Sequence, residues 1–439
     1  MSVYPRNLSN FLNRLSGYNK NNIKLNVLGG LTANDGDIIQ VDLPSNSIVD
    51  LSSLAWSFSY ANVALAADHS VSFPTNIEHV ISRLAIEVNG QTLVNMNNYN
   101  ALYHMLLYST ATEDYIRQRQ VGQSNGVDNA LSGVPHTVVD GAGVAAGGNT
   151  SNHVIDTWLG FLGSAKPNFI DTSLLGNVRI SITLAPGNEV VGGAAAAATP
   201  DDAERKYALA NMNFSIDVIS ISDGIYDSMV DQMLASGRPI EVPFKNYFSY
   251  VNNNTTGMSD MVLFNVASQS IDRLWCTGRD NQAGTTRTNA AAPLVAIADA
   301  AALFHREANT VPSFTFTNAG TTGLQFQINN TLYPNWQLST AQEMFQHTKL
   351  AIGDQGNMLS GSAPPSATAY TTNYFVFAVS LEHHTDSDER FLSGIDTRGS
   401  SANCYLKGVG GANATQALVF AECTSSLKIM ANKVLEIVQ

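Results

Sequence analysis

Charge is scarce in this chain of 439 residues, of which only 13% are Asp, Glu, Lys or Arg. The formal net charge is -13, which excludes a body that wraps nucleic acid, because phosphate neutralisation needs clustered Lys and Arg. Cysteine is scarcer still. Cys276, Cys404 and Cys423 are odd in number and lack CxxC spacing, so they read as small core residues rather than a disulfide framework or a zinc site. No window approaches the ~20 apolar residues of a membrane-spanning helix, and no early apolar run has the shape of a signal peptide. The expected place of synthesis is therefore the cytosol, where sequons such as Asn253-Asn254-Thr255 stay unmodified.

Motifs of catalysis are missing too. A nucleophile elbow, a Walker loop and a dinucleotide fingerprint are absent. His383 and His384 are adjacent and would face opposite sides of a strand, so with Asp386, Asp388 and Glu389 they read as a solvated turn rather than a metal site. His104 falls off the apolar stripe of its helix and is expected at the surface or an interface. Tyr247, Phe248 and Tyr250 have only Lys245 as a basic neighbour, which favours strand core over base or sugar stacking. No cofactor or metal is expected.

What is present is a hydrophobic content of 44% spread over short segments between Gly, Asn, Ser, Thr and Ala-rich stretches, the composition of many short strands. The stretch LAIEVNGQTLVNMNNYNALYHMLL, residues 84–107, organises the rest. Leu84, Ile86 and Val88 alternate as a half-buried strand does, and Asn89-Gly90 suits the positive φ values of a tight turn. Tyr99, Leu102, Tyr103, Leu106 and Leu107 then line one helix face, with Asn98 as the expected N-cap. The pattern returns as Leu324, Phe326, Ile328 and Asn329 at a constant offset of 240 residues, Gly90 standing opposite Asn330. The helix follows two residues further on as Ala341, Met344 and Phe345, with Thr340 and Glu343 set for a capping box.

The duplication divides the chain into a basic N-terminal arm over 1–34, a first domain over 35–222, a helical connector over 223–238 and a second domain over 239–439. Strands are expected at Asp37–Leu43, Leu54–Val63, Val154–Leu162, Val178–Leu184 and Phe214–Ile221 in the first domain. The second has them at Ile240–Tyr250, Met261–Val266, Ile271–Cys276 and Tyr374–Leu381, then near Cys404–Leu406, Ala417–Glu422 and Leu427–Val438. Ala, Gly and Thr-rich stretches at 110–149, 190–206, 281–302 and 356–371 read as surface loops. The fold class is mainly β, with two tandem eight-stranded antiparallel jelly-roll sandwiches, short helices in loops and a short helical connector. In the arm, Arg6, Arg14, Lys20 and Lys24 precede the first acid, Asp35, while Leu8, Phe11, Leu12 and Leu15 form an apolar stripe. Two readings stand for it, a solvated start and a functional arm facing an anionic surface.

The segments LAIEVNGQTLVNMNNYNALYHML, LLGNVRISITLAP, FSIDVISISDGIYDSMVDQMLASGRPIEVPF and FQINNTLYPNWQLSTAQEMF, in this order and spacing, make the chain resemble the double jelly-roll major capsid proteins of icosahedral DNA viruses, most of all those of polinton-like viruses and virophages. The resemblance implies a homotrimer with six similar wedges and a pseudo-hexagonal outline, tiling an icosahedral shell beside pentons. It further implies a virion protein, made and assembled in host cytoplasm or nucleus, whose partners are neighbouring capsomers, penton and minor capsid proteins. The arm would face inward, toward genome, an internal membrane or a minor capsid protein. An alternative from another class is a jelly-roll glycan-binding protein, a lectin or spike. A bicupin enzyme is a third, weakened by the absence of His-x-His spacing.

Overall fold

The computed structural model describes residues 18–62, 70–72, 76–110, 137–139, 150–193, 206–221, 225–253, 261–279, 316–318, 320–353, 367–373, 375–382, 393–398, 404–409, 416–430 and 434–439. Eight principal strands build the first half: β1 (Tyr18–Leu25), β2 (Ile38–Asp42), β3 (Ile48–Asn62), β4 (Ile81–Val88), β5 (Gln91–Asn97), β6 (Thr150–Ile155), β7 (Val178–Leu184) and β8 (Tyr207–Ile221). They form two antiparallel sheets, ordered β1-β8-β3-β6 and β2-β7-β4-β5. Helix α1 (Tyr99–Thr110) lies between β5 and β6 in sequence, and α2 (Ile225–Ala235) joins the halves.

The second half repeats this order. Its strands are β9 (Ile240–Asn253), β10 (Met261–Phe264), β11 (Ile271–Arg279), β12 (Gly320–Ile328), β13 (Thr331–Tyr333), β14 (Phe377–Ser380), β15 (Cys404–Val409) and β16 (Gln416–Ile429). Helix α3 (Ala341–Ile352) follows β13 as α1 follows β5. The sheets run β9-β16-β11-β14 and β10-β15-β12-β13, the order of the first half position by position. Two facing sheets connected in this way are jelly rolls, and the chain carries two of them.

Local chemistry explains the repeated unit. Asn89 and Gly90 take φ of 49° and 81°, both positive as a two-residue hairpin requires, and Asn329 takes 55° at the matching point. Inward residues Leu84, Ile86, Val88, Leu324, Phe326 and Ile328 are all buried. Thr340 and Glu343 close the capping box on α3, each accepting from the other's backbone amide. Asn98 behaves differently from expectation. Its φ is 50°, and its carbonyl accepts from the Leu102 amide, so the chain enters α1 through a left-handed residue and not an extended N-cap.

Two other expectations are corrected. The arm does not reach residue 34, because Tyr18–Leu25 pairs residue for residue with Phe214–Ile221 and is the first strand of roll 1. Its sequence, YNKNNIKL, has little alternation; pairing with β8 and the Lys20 ion pairs hold it in the sheet. The strand read at Val154–Leu162 stops at Ile155, and a helical turn occupies Phe161–Ser164. His104, expected at the surface or an interface, is buried where the two rolls meet. The low-complexity stretches lie largely outside the described residues.

The two rolls share apolar packing. One cluster runs through roll 1 and takes in Trp275, Phe316, Val376, Ala378, Leu418 and Phe420 of roll 2. A second cluster, with Leu274, Cys276, Phe326, Leu406 and Val419, fills the space between the sheets of roll 2. The sheet β9-β16-β11-β14 is therefore covered on both faces, and β16 is buried along almost its whole length instead of alternating. By contrast β7 alternates strictly between buried and half-buried residues.

Candidate functional site

The contact between rolls is built from named groups. Strand β5 of roll 1 packs against β9 of roll 2. Beside it, the Lys166 amide donates to the Pro243 carbonyl at 3.0 Å, and the Lys245 amide donates to Ser164 Oγ at 2.8 Å. The Phe161 and Phe244 rings meet edge to face at 5.3 Å. Arg279 of β11 pairs with Glu189 of roll 1 at 3.1 Å. His104 of α1 lies edge-on to Phe316 of roll 2 at 5.3 Å, and its Nδ1 sits 3.1 Å from His79 Nε2. Helical periodicity leaves His104 either at the surface or at an interface, and the cover supplied by roll 2 decides for the interface.

Each roll also carries one lysine on its first strand reaching a carboxylate at the start of its third. Lys20 on β1 bonds Asp50 at 3.3 Å and Asp217 at 2.8 Å. Lys245 on β9 bonds Asp272 at 2.8 Å and Glu382 at 3.4 Å. The hydroxyls of Thr424 and Ser270 donate to the two Asp272 oxygens. Lys20 pKa is raised by its hydrogen bonds to Asp217 and Asp50. Burial opposes the charge on Lys245, yet the carboxylates of Asp272, Glu422 and Glu382 outweigh it, and its pKa is raised too. Spacing did not reveal these pairs, since the partners come from separate strands.

The predicted site residues divide into two groups. Arg6, Leu8, Phe11, Leu12, Arg14 and Leu15 lie outside the described residues, while Lys20 and Lys24 belong to β1. The repeated motif stands in equivalent strands and helices, as the order of the sheets requires. Tyr99 accepts a hydrogen bond from the Leu159 amide at 3.1 Å, Leu102 is buried, and Met344 seats α3 in the core of roll 2. Phe345 is half-buried with its ring 5.2 Å from Tyr370.

Groups with chemical potential are closed off. Ser151 Oγ and His153 Nε2 lie 2.6 Å apart on β6, but both residues are buried, and the Phe58 and Tyr60 rings pack on the imidazole. Cys276, Cys404 and Cys423 are buried, and burial pushes their thiols up, away from the thiolate a nucleophile needs. Among the described residues no group of three His, Cys, Asp or Glu side chains is placed to hold a metal ion. His383 and His384 lie outside those residues. A cleft of about 450 Å³ opens between Asn46–Ile48, the end of β8, Asp171 and Tyr226. Its carboxylate is already engaged: Asp171 accepts from the Ser173 amide and from the Tyr226 hydroxyl.

Strand order and the roll-to-roll contact define the class as a double jelly roll. Solved structures with this fold include PBCV-1 VP54, at TM-score 0.60 and 12% identity over 99% of both chains. The Faustovirus major capsid protein matches at 0.57 and 10%, over 97% of this chain and 92% of its own. A chain of the Sputnik virophage structure matches at 0.55 and 10%, over 100% and 92%. At these identities the likeness is one of fold. No protein-family model matches the chain, and no curated protein sequence matches it.

Proposed function

We propose that the chain is a major capsid protein, a non-enzymatic building block whose homotrimers form pseudo-hexagonal capsomers of an icosahedral virus shell. The observation that carries this reading is the double roll itself, a fold this chain shares over nearly its whole length with PBCV-1 VP54 and the Faustovirus major capsid protein. Three chains of two similar rolls supply six similar wedges about one axis. Buried thiols and a sealed Ser–His pair suit a structural role. The glycan-binding alternative gains nothing from the cleft, whose acid and tyrosine are bonded to each other.

Size exclusion with light scattering tests the reading. The expected mass is three times the 47.0 kDa of the chain, with six-lobed outlines in negative stain. A stable monomer refutes it. Within this proposal residues 1–17 face the shell interior and contact genome, an internal membrane or a minor capsid protein through Arg6 and Arg14. Removing them leaves trimers and impairs shell assembly; unchanged assembly rejects that role. The cut stops at residue 17, since removal through Lys24 would take out β1.

A further inference from the structure

The roll-to-roll contact is head-to-tail, and one copy of the chain uses each half of it once. Roll 1 offers β5 and α1, and roll 2 receives them on β9 and on the outer face of its β9-β16-β11-β14 sheet, through Trp275, Leu418 and Phe420. Roll 2 has its own counterpart of the offering surface, in β13, the segment after it and α3. Roll 1 has its own counterpart of the receiving surface, in β1 and the outer face of β1-β8-β3. Neither counterpart has a partner roll within the chain, and their exposure records this.

In the segment after β13, Trp336 is 60% exposed, whereas Met96 near the end of β5 is buried. Met105 of α1 is likewise buried, whereas its equivalent His347 is half-buried and holds the Trp336 ring edge-on at 5.7 Å. Leu350, one turn beyond on α3, is 49% exposed. On the receiving side, Asn19 to Asn22 and Lys24 of β1 are exposed, whereas Val242, Phe244, Asn246 and Tyr247 of β9 are buried. The outer face of β3 and β8 carries the small residues Ala55, Ser57, Ser59, Ala208, Ala210 and Ser215, all half-buried, with Asn213 and Asp217 beside Ser215.

From this asymmetry we infer that Trp336, with β13 and the Leu350 side of α3, is the anchor by which one copy grips β1 and the small-residue face of β3 and β8 on a second copy. The occupant is another copy of this chain, because the same head-to-tail contact already exists inside it and stays unclosed at both ends. A bulky exposed indole is the kind of side chain that anchors an interface, and the small residues of the second copy's face leave room for it. The inference rests on the proposed trimer and adds the surface that makes it.

Two variants test it, each placed where the fold does not depend on the residue. Trp336→Glu disables the offering surface and Ser215→Arg the receiving one. Each is expected to weaken association by roughly 30-fold or more and to run as a monomer, with circular dichroism matching the wild type. Mixed together, the two retain one intact contact, between the Trp336 of the Ser215→Arg chain and the β1 face of the other. A one-to-one dimer of twice 47.0 kDa should form. If the wild type is trimeric but Trp336→Glu stays trimeric, or the mixture stays monomeric, the inference is overturned while the trimer stands. A wild-type monomer overturns both.

Discussion

Truncating Lys245 and truncating Lys20 perturb the same device in two surroundings, and the outcomes should differ sharply. The Lys245 side chain is 17% exposed and its partner Asp272 only 1%. Removing the ammonium leaves the Asp272 charge buried, although the Thr424 and Ser270 hydroxyls still donate to it. Breaking a buried pair from one side costs about 3–5 kcal/mol, and the surviving hydroxyls reduce this to about 2–4 kcal/mol for Lys245→Ala. That is roughly a 30- to 700-fold loss in the folding equilibrium constant. Lys20 is 41% exposed, and water screens its pairs with Asp50 and Asp217, so Lys20→Ala should leave the denaturation midpoint unchanged within error. Urea denaturation followed by tryptophan fluorescence, at neutral pH and fixed protein concentration, reads both. Because the folded-state pKa of Lys245 is raised above 10.5, its contribution is fully present at neutral pH and below, and fades only as pH climbs through the folded value. Equal effects of the two substitutions, or a Lys245→Ala cost below about 1 kcal/mol, would refute the reasoning from burial.

Two further outcomes follow from backbone approach and thiol burial. A Cβ on Gly323 would stand 1.6 Å from the Leu338 carbonyl oxygen at φ of 137°, whereas one on Gly90 meets open space at φ of 81°. Gly323→Ala should prevent soluble expression of a folded chain, while Gly90→Ala should cost only about 1 kcal/mol by thermal melting, and the reverse ranking would contradict the β12 packing. Ellman's reagent should find fewer than one reactive thiol per native chain and all three after denaturation, since each cysteine is buried. Rapid native labelling would show that the rolls open.

The legibility of the fold tracked how each strand meets its surroundings. β7 reads directly from VRISITL because one face is core and the other half-open, which writes alternation into the sequence. The repeated strand, turn and helix were legible for the same reason, and the capping box on α3 is local chemistry that needs no tertiary knowledge. β1 was missed because its polar side chains carry no period, and its partner strand lies almost two hundred residues away in sequence. The burial of His104, and the exposure of much of α3 where α1 is buried, depend on which roll has a neighbour, a fact of assembly that a duplicated motif cannot encode twice in the same way. The Lys245 network was hidden because Asp272, Glu382 and Thr424 converge only when β9, β11, β14 and β16 are side by side.

The apolar cluster that passes from roll 1 into Trp275 and Phe420 has a consequence for how the chain comes apart and how it can change. Two halves that look interchangeable by motif are welded through a common interior, so denaturation should proceed as one cooperative event rather than two staggered ones. The same weld restricts recombination. A roll borrowed from a relative would bring its own strand order intact, yet would leave a mismatched seam where β5 meets β9, and the graft would fail at the joint before it failed within either sandwich.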